Sequence, residues 1–163
     1  MRLQSWHDRP IITANLVNPA FTCEIVRECG KGYTSEISLN MPYIFLPLVL
    51  PFILPQRFRT TLPRSKATTM HAWLNNNPQL KIGLAEHIKG LVDFSKEAVM
   101  FGIIHDVLRI DENGSLEVLG KKGKASLNND ETNECLSKAA TWGKILANAG
   151  DHYTVYSMLG IKP

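Results

Sequence analysis

The chain has 163 residues, 44% of them apolar and 20% charged, with a formal net charge of +3 from 18 basic and 15 acidic side chains. A chain of this length buries roughly 70% of the surface that its unfolded form exposes, so a single domain with its own core is expected, without a disulfide or metal to hold it. The composition excludes global disorder and a fibrous repeat, and the charge bias is too small to indicate nucleic acid by itself.

In chain order, Trp6, His7 and Asp8 stand where a secretory signal would carry an apolar stretch, so no export signal is expected and the location reads as cytoplasmic. Residues 10–29 read as a helical region, broken at Asn18 because the residue before Pro19 is pushed out of helical geometry, and ended by Gly30 and Gly32. Pro42 suits the first turn of a helix over residues 43–46. Pro47, Pro51 and Pro55 each remove a backbone donor, so the apolar run over residues 43–54 is expected to be kinked or partly extended, and buried. It is too short for the roughly 20 residues that a membrane-spanning helix needs.

Ser65 is placed as the N-cap of a helix reaching about Asn76. Asn77 then caps and Pro78 opens a second helix, on which Leu80, Leu84, Ile88, Leu91 and Val92 share a face. Ser95 caps a third, apolar all round over residues 98–104. Leu108 and Ile110 alternate with Arg109 and Asp111, Asn113 and Gly114 supply a turn, and Leu116 and Val118 alternate with Glu117, which predicts a β-hairpin. Three helices followed by a hairpin is the order of a winged-helix domain. A polar loop with Lys121, Lys122 and Lys124 leads to a helix from about Asp130, with Cys135, Ala139, Trp142, Leu146 and Ala149 in one seam up to Gly150. Asp151 caps a last helix carrying Val155, Tyr156 and Leu159, stopped by Gly160. The expected class is mainly α with a β-hairpin (α+β), in one domain over residues 1–163. Residues 65–119 would form a winged-helix-like core, residues 1–64 an N-terminal helical and proline-rich apolar segment, and residues 130–163 the C-terminal helices.

No catalytic constellation is visible. Cys23, Cys29 and Cys135 match neither a zinc motif nor a disulfide framework and read as reduced thiols. His7, His71, His87, His105 and His152 never pair at metal-ligand spacing, and neither Gly30-Lys31-Gly32 nor residues 120–124 has the make-up of a phosphate-binding loop. No cofactor, metal or catalytic residue is expected, and the chain reads as a non-enzyme.

Charge is unevenly spread: residues 37–85 carry no Asp or Glu but do carry Arg57, Arg59, Arg64, Lys66 and Lys81. Arg57, Arg59, Arg64 and Lys66, with Lys121, Lys122 and Lys124, are candidates for contact with nucleic-acid phosphate or an acidic partner, or are simply solvated. The third helix offers Lys96 but also Glu97 and Asp106, which makes it a poor groove reader. Trp6, Trp73, Trp142, Tyr153 and Tyr156 are of types enriched at interfaces, though a core also takes them.

Trp6, Arg9-Pro10, Ala14-Asn15-Leu16, Asn18-Pro19-Ala20-Phe21, residues 46–50, Leu62-Pro63, Trp73 and residues 159–163 together resemble the middle component of three-component ABC systems, over nearly the whole chain. The chain is similar to the small subunit of Lamassu-type defence systems. The resemblance implies a non-catalytic winged-helix adaptor in a bacterial antiphage or antiplasmid complex. It would bridge an SMC- or Rad50-like ABC ATPase and an effector, often a nuclease, with DNA contact through the complex and no membrane. Partner contacts are then expected at Trp6, Arg9, Asn15, Phe21, Leu48, Leu50, Phe52, Trp142, Tyr156 and Leu159. The competing expectation is a stand-alone winged-helix DNA-binding transcriptional regulator.

Overall fold

The computed structural model describes residues 3–5, 8–120 and 130–162. Its helices are α1 (Ile11–Leu16), α2 (Pro19–Ile37), α3 (Val49–Ile53), α4 (Gln56–Arg59), α5 (Met70–Asn76), α6 (Leu84–Ile104), α7 (Asp130–Asn148) and α8 (His152–Leu159). The strands are β1 (Met41–Pro42), β2 (Leu108–Ile110) and β3 (Ser115–Val118), and 3-10 helices cover Tyr43–Leu48 and Pro78–Lys81. The class is α+β, mainly helical, with one small antiparallel sheet in the order β1-β3-β2. The hairpin of β2 and β3 forms in the expected place, with Leu108 opposite Val118 and Ile110 opposite Leu116. The third strand is supplied from far upstream, where Met41 pairs with Leu116.

Helix α2 is the central element, packed against both α6 and α7. Asn18 caps it by accepting the Ala20 N–H at 2.9 Å, and Pro19 fills its first turn. It does not end at Gly30 or Gly32. Both glycines are buried inside it: a Cβ on Gly30 would come within 3.0 Å of the Val118 side chain, and at Gly32 there is no room for one. A Cβ on Gly32 would fall on the backbone carbonyl of Ala140, and one on Gly143 of α7 would fall on that of Cys29. The two helices therefore meet backbone to backbone, each through a glycine of its own. Gly102 of α6 plays a similar part against Leu108 and Cys23.

The helices expected from Asn77 and from Ser95 are replaced by the 3-10 turn Pro78–Lys81 and a single α6 of 21 residues that runs through Ser95. Ser95 does not cap. Its hydroxyl is buried and donates to the Leu91 carbonyl one turn back, at 3.1 Å. Residues 65–119 thus hold one short helix, one 3-10 turn and one long helix before the hairpin, instead of three successive helices. The helix expected from Ser65 starts later, capped by Thr69, whose Oγ1 accepts the Ala72 N–H at 3.2 Å.

The proline-rich segment lies at the centre of the core. Phe45, Leu46, Leu48, Val49, Leu50, Phe52, Ile53 and Phe58 are each at most 2% exposed. Phe52 meets Phe58, Trp73 and Trp142 with ring centroids 4.6–5.8 Å apart. A buried segment must still satisfy its carbonyl groups, and here the prolines remove the backbone donors that would do so. Side chains from three other helices replace them. Pro47 stands three residues beyond Ile44, and the Ile44 carbonyl accepts the Tyr156 hydroxyl of α8 at 2.6 Å. Leu48 leads into α3, and its carbonyl, beside that helix's first backbone bond, also accepts the Trp142 indole N–H of α7 at 2.9 Å. Pro55 stands four beyond Pro51, whose carbonyl lies 3.3 Å from His87 Nε2 of α6. A carbonyl can only accept, so Nε2 carries the proton. Burial lowers the His87 pKa, which keeps that ring neutral, and pushes the Tyr156 phenol up to about 12, which keeps its proton in place.

Candidate functional site

An open cleft of about 660 Å³ lies between the N-terminal end of α2, the linker joining α3 to α4, the first half of α6 and the start of α7. Leu16, Val17, Phe21, Leu54, Pro55 and Leu91 form apolar walls, and Asn15, Asn18 and Thr132 add polar groups. That volume is in the range of ligand-binding clefts.

Arg59 lies in the cleft wall and is 1% exposed. Its Nη1 donates to the carbonyls of Ile53 at 3.0 Å and Leu54 at 2.8 Å, Nη2 to Glu131 at 2.8 Å and Nε to Glu134 at 3.2 Å. The planar guanidinium thus ties the end of α3 to the first turns of α7, which a point-charge ammonium could not do. Because it is enclosed and committed in this way, Arg59 is removed from the expected phosphate-contacting set. Arg57, Arg64 and Lys66 stay exposed. The Arg57 guanidinium stacks 4.6 Å from the Phe58 ring centroid, and Lys66 pairs with Glu36 at 2.8 Å. Lys121, Lys122 and Lys124 lie outside the described residues.

The expected partner-contact residues divide similarly. Leu48, Leu50, Phe52, Trp142, Tyr156 and Leu159 are at most 4% exposed, and this corrects their assignment to an interface: they make the core, and Trp142 and Tyr156 also satisfy its carbonyls. Arg9 is 8% exposed and forks onto Glu97 with bonds of 2.8 and 2.6 Å, pinning the N-terminal segment to α6. Asn15 is exposed, Phe21 is half-buried, and both line the cleft. Trp6 lies outside the described residues. The sequence reading missed Leu16, Leu54, Leu91 and Glu131. One signal existed for Leu16: on a helix it shares a face with Ile11 and Ile12, opposite Ala14, and only one of the two faces can turn inward. Ile11, Ile12 and Leu16 are 79%, 75% and 65% exposed, while Ala14 and Val17 turn to the core.

The three thiols are buried and held in the protonated form. Burial raises all of them, Cys23 to about 11 and Cys29 further still, so a thiolate nucleophile is disfavoured at each. Among the described residues no three His, Cys, Asp or Glu side chains are grouped to hold a metal ion, and no helix is long and apolar enough to cross a membrane.

These features define a mainly helical α+β domain whose ionic groups near the cleft serve the framework and whose open surface is an apolar-walled cleft beside an exposed apolar helix. Residues 6–163 match the family described as ABC-three component (ABC-3C) system Middle Component 3, and the chain belongs to that family. No curated protein and no solved structure matches it.

Proposed function

We propose that the chain is a non-catalytic adaptor and regulatory subunit of a bacterial antiphage or antiplasmid complex in the cytoplasm. It would join an SMC- or Rad50-like ABC ATPase to an effector, often a nuclease, in the manner of the small subunit of Lamassu-type systems. Family membership carries this reading, because a middle component has other components to meet. The engagement of Arg9, Arg59 and His87 in structural bonds and the protonated thiols support it, since they leave these groups little part in turnover. Helix α1 and the cleft provide surface for docking.

The test is co-expression with the ABC ATPase and effector components of its own system. The chain is expected to co-purify with both and to bind each at micromolar concentration or below. A chain that sediments as a free monomer with both partners present at about 10 μM would refute the adaptor reading.

We further propose a weak, sequence-independent contact of the assembled complex with DNA phosphate through Arg57, Arg64 and Lys66. Replacing all three by Ala is expected to flatten the dependence of DNA affinity on salt by up to about three counterions. An unchanged slope would place the DNA contact on another subunit.

A further inference from the structure

Outside the cleft, the linker from α4 to α5 lies against α7 and brings four cations together. Lys138 and Lys144 stand six residues apart on α7, a rise of about 9 Å. The Lys138 Nζ donates to the linker carbonyl of Leu62 at 2.9 Å, and the Nζ of Lys66, further along the linker, donates to Glu36 of α2 at 2.8 Å. Asn148, one turn beyond Lys144, donates to the same carboxylate at 3.2 Å. The bonds from Lys66 and Asn148 hold the Glu36 carboxyl below its usual range, and the nearby Lys144 charge adds to this. Burial lowers the Lys138 pKa; Glu134, one turn before it, opposes that shift and the nearby Arg64 adds to it. Arg64, Lys66, Lys138 and Lys144 thus cluster around Glu36, while Glu134 already takes a bond from Arg59. The residues outside the described set include no Asp or Glu, so they bring no acidic side chain to this surface.

The cluster has donors to spare. An ammonium carries three protons, and Lys66 and Lys138 each spend one. Among the described residues, no hydrogen bond engages the side chain of Arg64 or Lys144. Ser65 Oγ accepts the Ala67 N–H at 3.3 Å and keeps its own proton to donate. A protein partner needs an apolar centre to dock on, and neither linker residues 64–69 nor Lys138, Thr141, Lys144 and Asn148 of α7 include a large apolar side chain. Phosphates need only cationic and hydroxyl donors spread along a line. We propose that the backbone of duplex DNA lies along this surface, with phosphates at Arg64, Lys66, Lys138 and Lys144, and that Glu36 weakens the contact by cancelling one of these charges.

This inference rests on the DNA contact proposed above and extends it onto α7, and the experiment separates the two. Affinity of the full chain, alone and in the assembled complex, for a duplex of about 30 base pairs is measured between about 50 and 300 mM salt. Lys144→Ala should weaken binding several-fold and flatten the slope of log affinity against log salt by about 0.9. Glu36→Gln keeps the side-chain length and an acceptor for Lys66 and Asn148. It should tighten binding several-fold at about 50 mM salt and less at about 300 mM, because screening weakens an exposed charge contact. A retained cooperative melting transition verifies that both variants fold. If neither variant moves affinity or slope while replacement of Arg57, Arg64 and Lys66 still does, the DNA contact stands without α7 and this inference fails. If that triple replacement moves nothing either, the contact belongs to another subunit and both readings fail. A polyglutamate chain of matched charge that competes as well as the duplex would assign the surface to an acidic partner protein and overturn the DNA occupant.

Discussion

Replacing Gly143 by Ala is expected to destabilise the protein by about 2 kcal/mol net, while the same substitution at Gly90 stabilises it by about 0.5–1 kcal/mol. Both glycines lie inside helices, α7 and α6, so both gain the helix propensity of Ala, worth about 1 kcal/mol. Their surroundings differ. A Cβ on Gly90 meets nothing within 4 Å, whereas one on Gly143 meets the Cys29 carbonyl and the Tyr33 amide of α2. Backbone cannot rotate aside as a side chain can, so α2 and α7 must part, at an overpacking cost of about 3 kcal/mol. In a domain of this size the Gly143 variant should melt about 4–8 °C lower. Gly32→Ala should behave alike, and the pair should be non-additive because the first substitution already opens the crossing. Equal melting shifts for Gly143→Ala and Gly90→Ala would show that the glycines do not set the helix separation.

Arg59→Met, which keeps an unbranched apolar stem and removes the charge and all donors, should lower the free energy of unfolding in urea by about 3 kcal/mol. It strips the Ile53 and Leu54 carbonyls of their guanidinium donors and releases Glu131 and Glu134. Glu131 and Glu134 are partly exposed and can turn to water, so most of the loss comes from the carbonyls. Arg59→Lys should recover only part of it, since one ammonium cannot span four acceptors on two elements. Lys66→Ala, which breaks the more exposed pair with Glu36, should change stability by no more than about 0.5 kcal/mol. A loss below about 1 kcal/mol for Arg59→Met would mean that α3 and α7 are held together by packing alone.

The elements legible in the sequence were those whose signals are local. The Asn113-Gly114 turn between two alternating runs, the seam of α7 and the Asp151 and Gly160 boundaries of α8 each depend on neighbours a few residues away. What misled the reading was residues whose role is set across the fold. Gly30 and Gly32 carry the usual mark of a helix end, yet α2 continues through them, because what they provide is room for neighbouring elements. Ser95 looks like a cap, but a hydroxyl can equally bond back to its own helix when the surrounding residues bury it. Strand β1 is only two residues long and has no pattern of its own; it exists because β3 offers an edge. Of the residues expected at partner or phosphate contacts, Asn15 and Phe21 line the cleft, while Arg59 is enclosed. Its exposure depends on two carboxylates more than 70 residues later in the chain.

The side-chain donors supplied to Ile44, Leu48 and Pro51 have a consequence for biosynthesis. All three come from residues that follow the proline segment, and two of them, Trp142 and Tyr156, lie in the last quarter of the chain. On the ribosome, a nascent chain that has not yet released α7 and α8 holds its most apolar stretch without the partners that complete it. That stretch is then open to aggregation or to a holding chaperone until α7 and α8 have emerged. Closure of the core is thereby tied to the emergence of α7 and α8, and a product cut short before them would be marked for proteolysis by the same bare segment.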